Sequence, residues 1–196
     1  MARDPVKSAR RAALRERRRA IAASRDVTSD DTALAGHVVG LVESLGLGRG
    51  AVVTSYESIP GEPPTGALNE ALTARGITVL VPITLPDLDL DWHDCADPAR
   101  NPLGHDAIGR ADLVLAPGLA VDRTGTRMGQ GGGCYDRALP RRAHGTPVVV
   151  VLHPGELAGA DYQLPRAEHD QPVDAVVTAD GLTDLGLSPW RSRAGA

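Results

Sequence analysis

Apolar residues recur along the chain at two different periods, and segments of the two kinds alternate. Between residues 6 and 22, Val6, Ala9, Ala13, Leu14, Ala20 and Ile21 fall on one stripe of a helix with 3.6 residues per turn. Lys7, Arg11 and Arg18 lie together at one border of that stripe. Thr28-Ser29-Asp30-Asp31 reads as a capping-box-like start. Leu34, Val38, Leu41, Val42 and Leu45 then make a second helical face, which Gly46 ends. A third helix carries Leu68, Ala71 and Leu72 and stops at Arg75-Gly76. Short apolar, β-branched runs predict strands at Ala51 to Ser55, Ile77 to Val81, Asp112 to Ala116, Val148 to Leu152 and Val173 to Val177. Residues 82–105 are rich in Pro, Asp and His and read as loop, apart from a strand near Leu90 to Trp92. A short helix begins near Tyr135. This alternation predicts an α/β protein: a mostly parallel sheet with helices on both faces, in three layers. Ligands of such sheets sit outside the carboxyl ends of the strands. The segments 56–64, 117–135 and 153–172 all leave such ends.

Composition narrows the function. The chain has 196 residues, with 21 Lys+Arg against 25 Asp+Glu, a formal charge of −4. That balance argues against a nucleic-acid binder relying on bulk charge. No apolar run approaches the roughly 18 residues of a membrane helix. The charged N-terminus has no apolar segment behind it, so a cytoplasmic location is expected. Two isolated cysteines, Cys95 and Cys134, make neither a disulfide framework nor a zinc site. Lys7 is the only lysine, so no P-loop lysine exists. The absence of Phe and an aromatic content of 3% disfavour a base-stacking platform. One domain over 1–196 is expected, with a basic helix at 1–23, a flexible tail at 187–196, and a monomeric state.

The densest chemistry lies between Ala116 and Arg137. Gly129, Gly131, Gly132 and Gly133 precede the expected helix start. Backbone N–H groups at such a turn form an anion nest, to which a helix dipole adds positive potential; a plain flexible turn is the alternative. Arg127 stands just ahead as a phosphate clamp or a surface ion-pair partner. Asp122 and Asp136 flank the nest, and carboxylates beside a phosphate cradle suit Mg²⁺; Asp122 reads better as a loop-structuring residue. A dinucleotide fingerprint would need glycine where Cys134 stands, and Tyr56-Glu57-Ser58 after the first strand has no glycine cluster. An NAD(P)-dependent dehydrogenase is thereby disfavoured.

Residues 117–137 resemble the signature of the 5-formyltetrahydrofolate cyclo-ligase family (methenyltetrahydrofolate synthetases), which reads roughly PGLAFD-x-x-G-x-R-L-G-x-G-x-G-Y-Y-D-R. Leu164 to Thr178 is similar to the family's closing segment. Lys7-Ser-Ala-Arg-Arg11 matches its N-terminal lysine with an arginine four residues on, and Glu62-Pro-Pro-Thr65 its Glu-x-x-Thr loop. The matches run in family order from residue 7 to residue 178. The resemblance implies a fold similar to the NagB/RpiA/CoA-transferase type. It implies ATP- and Mg²⁺-dependent conversion of 5-formyltetrahydrofolate to 5,10-methenyltetrahydrofolate, with ADP and phosphate released. It assigns ATP to Lys7, Arg11, Arg127, Gly129, Gln130, Gly131, Gly132, Gly133 and Tyr135. Arg127 and Tyr135 take catalytic roles, Glu62 and Tyr135 contact the reduced folate, and Asp136 and Asp170 hold the metal.

Several positions depart from the pattern. Cys134 replaces the first tyrosine of the pair, Val121 the phenylalanine, and Met128 the leucine. Ala99-Arg-Asn-Pro102 stands where a Gly-x-x-Glu-Pro element is common, and Leu152-His-Pro-Gly-Glu-Leu157 is also altered. These departures keep two alternatives open: a non-catalytic folate- or nucleotide-binding regulator, and a divergent paralogue acting on another formyl compound. Of the six histidines, only His153 and His169 are expected near the site.

Overall fold

The computed structural model describes residues 5–167 and 170–187. His169 and residues 188–196, the rest of the expected tail, lie outside the described residues. Helices α1 (Pro5–Ala23) and α2 (Val27–Ser44) open the chain, and α3 (Gly66–Ala74) follows strand β1 (Val52–Thr54). Then come β2 (Thr78–Thr84), β3 (Leu90–Asp94), β4 (Leu113–Pro117), β5 (Ala120–Val121), β6 (Arg127–Met128) and α4 (Cys134–Ala138). Strands β7 (Val148–Val151), β8 (Ala175–Thr178) and β9 (Gly181–Asp184) complete the order. The main sheet has seven strands in the order β3-β2-β1-β4-β7-β8-β9. The inner strands pair in parallel, and β3 and β9 close the edges antiparallel.

Strand residues alternate between two cores. Leu113 and Leu115 of β4 and Val149 and Val151 of β7 face α2 and α3, where Leu34, Val38, Leu41, Leu68 and Leu72 meet them. Val114, Ala116, Val148 and Val150 face the opposite side, where Ile108, Ala138 and Leu139 pack in one cluster with them and with Trp92 of β3. Both faces of β7 are therefore buried, which is why its four residues are all valine rather than alternating. The sheet is three-layered, as the alternation of strands and helices predicts.

Local details differ from the sequence expectation at five places. First, α2 is capped by Asp26, not by the Thr28–Asp31 box: its carboxylate accepts from Thr28 N at 3.1 Å and Ser29 N at 3.3 Å. Asp30 is instead taken by Arg25, through Nη2 at 2.6 Å and through Nε. Second, the buried face of α1 is Lys7, Leu14 and Arg18, while Val6 is 63% exposed and Ala9, Ala13 and Ala20 face solvent. The alanines of the apolar stripe offer little area, whereas the basic border meets acidic and carbonyl partners supplied by later segments. Third, the glycine-rich loop contains the β5–β6 hairpin. Asp122 forms its turn by accepting from Thr124 N at 2.9 Å and Thr126 N at 3.1 Å, and it also takes Leu164 N at 2.8 Å. Fourth, 3₁₀ turns at His105–Arg110 and Leu139–Arg141 and the edge strand β9 are too short to leave a periodic signal. Fifth, α4 has only five residues, so its dipole adds little and anion binding there rests on loop N–H groups. Among the described residues, no helix is long and apolar enough to cross a membrane.

The chain leaves β1 for β2 on one side, while β4 lies on the other. The carboxyl ends of β1 and β4 therefore open into a crevice where ligands of this architecture bind.

Candidate active site

A cleft of about 280 Å³ occupies that crevice. Its base is formed by Tyr56 after β1, Pro82 and Thr84 of β2, Leu90 of β3 and Pro117 of β4. Lys7 and Arg11 enter from α1, one helical turn apart. Opposite them run Arg127 of β6 and the loop Gly129-Gln130-Gly131-Gly132-Gly133. Glu62, Tyr135, Asp136 and Asp170 complete the wall. The structure thus brings every site residue that the family resemblance assigns to one cavity, whereas Asp122 shapes the β5–β6 turn and His153 bonds the Gly61 carbonyl outside it.

Arg127 is the best anchored of the cations. Its Nη2 donates to Asp136 Oδ1 at 2.7 Å and its Nη1 to the Pro117 carbonyl at 3.3 Å. Its guanidinium carbon lies 5.6 Å from the centre of the Tyr135 ring, which meets Trp92 edge-on at 6.3 Å. Arg127 Nε is buried without a hydrogen-bond partner. Burial pushes the Tyr135 phenol well above its ordinary pKa, and the Arg127 charge opposes this only in part. The phenol is therefore a neutral donor at physiological pH. Asp136 sits within the first turn of α4 but does not cap it; Gly133 occupies the cap position.

Lys7 and Asp170 form a buried ion pair across the cleft, and Asp170 Oδ2 also accepts from Ala167 N at 2.7 Å. Arg11 Nε donates to the Gly129 carbonyl at 3.3 Å. Two glycines of the loop are dictated by space and dihedral. A Cβ on Gly129 would lie 2.8 Å from Arg127 Nη1, and Gly131 has φ +111°, which side chains rarely adopt.

Three features escape sequence reasoning. Arg15 reaches over the loop, donating to Gln130 Oε1 at 3.0 Å and to its carbonyl at 2.5 Å. Arg18 forms a bidentate, fully buried pair with Glu156, 2.7 Å at each oxygen, and also donates to the Gly118 carbonyl. Glu156 in turn accepts from His153 N at 2.9 Å, and His153 Nε2 donates to the Gly61 carbonyl at 3.2 Å. This chain of contacts ties α1, the segment after β7 and the Glu62 loop into one unit. The grouping of Arg18 with Lys7 and Arg11 on the helical wheel is the signal that points to it. The altered segment 152–157 is thus where the acidic partner of Arg18 resides.

The remaining departures from the family pattern are also located. Cys134 lines the cleft and is half-buried. Asn101 bonds Asp97 and does not line the cleft; its neighbour Arg100 pairs with Glu57, which does. Glu62 is half-buried and accepts from Ile59 N at 3.3 Å.

Comparison with known proteins gives a consistent result. The model of the 5-formyltetrahydrofolate cyclo-ligase family matches residues 3–179. A 5-formyltetrahydrofolate cyclo-ligase of Mycolicibacterium smegmatis is 33% identical over 190 residues, covering 88% of this chain and 93% of that protein. The Escherichia coli K12 5-formyltetrahydrofolate cyclo-ligase is 33% identical over 142 residues, covering 64% of this chain and 76% of that protein. Among solved structures, a 5,10-methenyltetrahydrofolate synthetase from Mycoplasma pneumoniae superposes with a TM-score of 0.70 at 18% identity, over 86% of this chain and 98% of that one. The corresponding Aquifex aeolicus synthetase gives 0.65 at 21% identity, over 91% and 94%. At those identities the two structures speak for the fold; the family model and the sequence relatives speak for kinship. The signature stretch, the cleft that gathers it and these matches agree that the chain is an enzyme belonging to the 5-formyltetrahydrofolate cyclo-ligase family.

Proposed function

We propose that the protein converts 5-formyltetrahydrofolate to 5,10-methenyltetrahydrofolate, consuming ATP with Mg²⁺ and releasing ADP and phosphate. The observation that carries this reading is the convergence of Lys7, Arg11, Arg127 and a glycine loop on one part of a cleft that Glu62 and Tyr135 also line. The cationic part suits a polyphosphate; the tyrosine and carboxylate suit a flat heterocycle rich in N–H groups.

The chemistry needs that combination. The formyl oxygen of the substrate is an amide-type oxygen and a poor leaving group. Transfer of the γ-phosphoryl group of ATP to it breaks the bond to ADP and leaves a phosphate ester on the formyl carbon. The N10 lone pair then attacks that carbon, phosphate departs with the electrons of the C–O bond, and N10 gives up its proton as the ring closes. Phosphoryl transfer of this kind demands positioning and charge neutralisation more than covalent protein chemistry. Lys7, Arg11 and Arg127 hold the phosphates, with N–H groups of residues 129–133 as further donors. Glu62 accepts from ring N–H groups, and Tyr135 packs its ring beside the folate.

Mg²⁺ fits the donor set as a shared ligand. Among the described residues, no three His, Cys, Asp or Glu side chains form a metal cage. Two carboxylates, Asp136 and Asp170, face the cleft. One or two carboxylates plus substrate phosphate oxygens is the usual coordination of this ion. Bound there, it would neutralise charge on the transferring group. The pairs Lys7–Asp170 and Arg127–Asp136 make the arrangement economical. Phosphates draw the cations while the metal draws the carboxylates, so no buried charge is stranded by the exchange.

The test is an absorbance assay for the methenyl product with purified protein, 5-formyltetrahydrofolate, ATP and Mg²⁺. Product that disappears when ATP is omitted or a chelator added supports the reading. Absence of product from folded protein under these conditions rejects it.

A further inference from the structure

Two hydroxyl groups in the cleft are buried without a hydrogen-bond partner, Tyr135 Oη and Tyr56 Oη. Tyr135 belongs to the signature stretch. Tyr56 belongs to no motif; it follows β1 directly and is 4% exposed. Its place is rigidly set, because its carbonyl accepts from Thr65 Oγ1 at 2.7 Å and from Asn69 Nδ2 at 3.1 Å. The backbone that carries the ring is thereby tied to the start of α3. Its phenol lies in the electrostatic reach of Glu62, Arg18, Glu156 and Tyr135. Burial, reinforced by Glu62, pushes that phenol well above its ordinary pKa, so it carries its proton.

An unpaired buried hydroxyl is a standing cost that phenylalanine at the same place would avoid. Both tyrosines line the cleft, so a ligand seated there can supply the partner that the fold does not. We propose that Tyr56 contacts the substrate directly, donating a hydrogen bond to an acceptor oxygen or nitrogen on the fused ring of the reduced folate. The inference rests on the functional reading above and adds a complement to Glu62. Glu62 reads N–H donors on the ring and Tyr56 reads an acceptor, so together they recognise the donor–acceptor pattern of one heterocyclic edge. A site built this way discriminates against an analogue that lacks the acceptor.

The test compares wild type with Tyr56→Phe. Three quantities are measured: thermal stability, the Kd for 5-formyltetrahydrofolate without ATP, and KM for each substrate. The expected result is an unchanged or higher Tm, roughly tenfold weaker folate binding with a matching rise in folate KM, and an ATP KM within about twofold of wild type. Unchanged folate affinity in the folded variant overturns the proposal while leaving the functional reading intact. Failure of wild type itself to bind the folate overturns both. If Tyr56→Phe does not fold, ¹³C-tyrosine NMR of wild type decides. The chain has 3 tyrosines, so the Tyr56 Cζ signal is readily assigned. A shift on folate addition supports the contact, and a stationary signal overturns it.

Discussion

Helices α1 and α2 are nearly equal in length, 19 and 18 residues, and are held in place by different physics. Helix α2 buries Leu34, Val38, Leu41 and Val42 against the sheet. Helix α1 buries Lys7, Leu14 and Arg18, and its two charged anchors meet Asp170 and Glu156. Apolar burial is indifferent to what enters the cleft. Ion pairs at a cleft are not, since a ligand can offer a competing partner to each member. One helix is therefore scaffold, and the other is scaffold at its C-terminal half and lines the cleft with Lys7 and Arg11 at its N-terminal half.

The comparison is broken most forcefully at Arg18. Arg18→Ala strands the buried Glu156 carboxylate and should lower unfolding free energy by about 3–5 kcal/mol in denaturant titrations. Leu41→Ala in α2 should cost about 2–5 kcal/mol by creating a cavity. What separates the two is kinetics. An Arg18→Met, Glu156→Leu double variant should recover most of the lost stability, yet keep an ATP KM raised several-fold, because α1 no longer sits in register. Leu41→Ala should leave ATP KM unchanged. If the double variant matches wild type in KM, the Arg18–Glu156 pair is no more than a packing element.

Within the cleft, Arg127→Ala and Asp136→Ala should each lower kcat by about 10² or more, as expected for groups touching the transferring phosphoryl. Near-wild-type turnover in both removes them from the site. Asp170→Asn should act more gently, raising the Mg²⁺ concentration for half-maximal rate by about tenfold. A metal titration of initial rates measures it. The smallest effect lies at Asp89, in the turn between β2 and β3. Its carboxylate accepts from Arg141 Nη1 at 2.9 Å and Nη2 at 2.7 Å, which holds its pKa below the usual carboxylate range. Because the folded-state pKa is depressed, this pair stabilises the fold above the unfolded value, about pH 4, and the contribution is lost as pH falls below it. Asp89→Asn should therefore flatten the acid limb of a stability–pH curve without changing activity at neutral pH.

What could be read from the sequence follows the same division. Helix α2 and strands β1, β2, β4, β7 and β8 announce themselves through apolar periodicity, because their partners are generic apolar surfaces. The glycine-rich loop lining the cleft announces itself through its glycines and Arg127, since N–H-rich turns need a distinctive composition. The docking face of α1 does not, because Lys7 and Arg18 look like solvated charges until Asp170 and Glu156 are in place. The β5–β6 hairpin is hidden by strands of two residues each. Tyr56 is invisible for a different reason: a buried hydroxyl without a protein partner is a tertiary property that no local pattern encodes.

The anchors of α1 also set an order of events during synthesis. The helix leaves the ribosome ahead of the segments that hold it: Gly118 and Glu156 lie 100 and 138 residues after Arg18, and Asp170 lies 163 after Lys7. At about 5–20 residues per second, the nascent helix waits on the order of ten seconds for its last partner. During that interval its arginine-rich surface is available to any polyanion at hand, the ribosome included. The α1 wall of the cleft is thus docked late, and a translation product that stops before Glu156 and Asp170 would carry both α1 and the signature loop without the carboxylates that dock the helix.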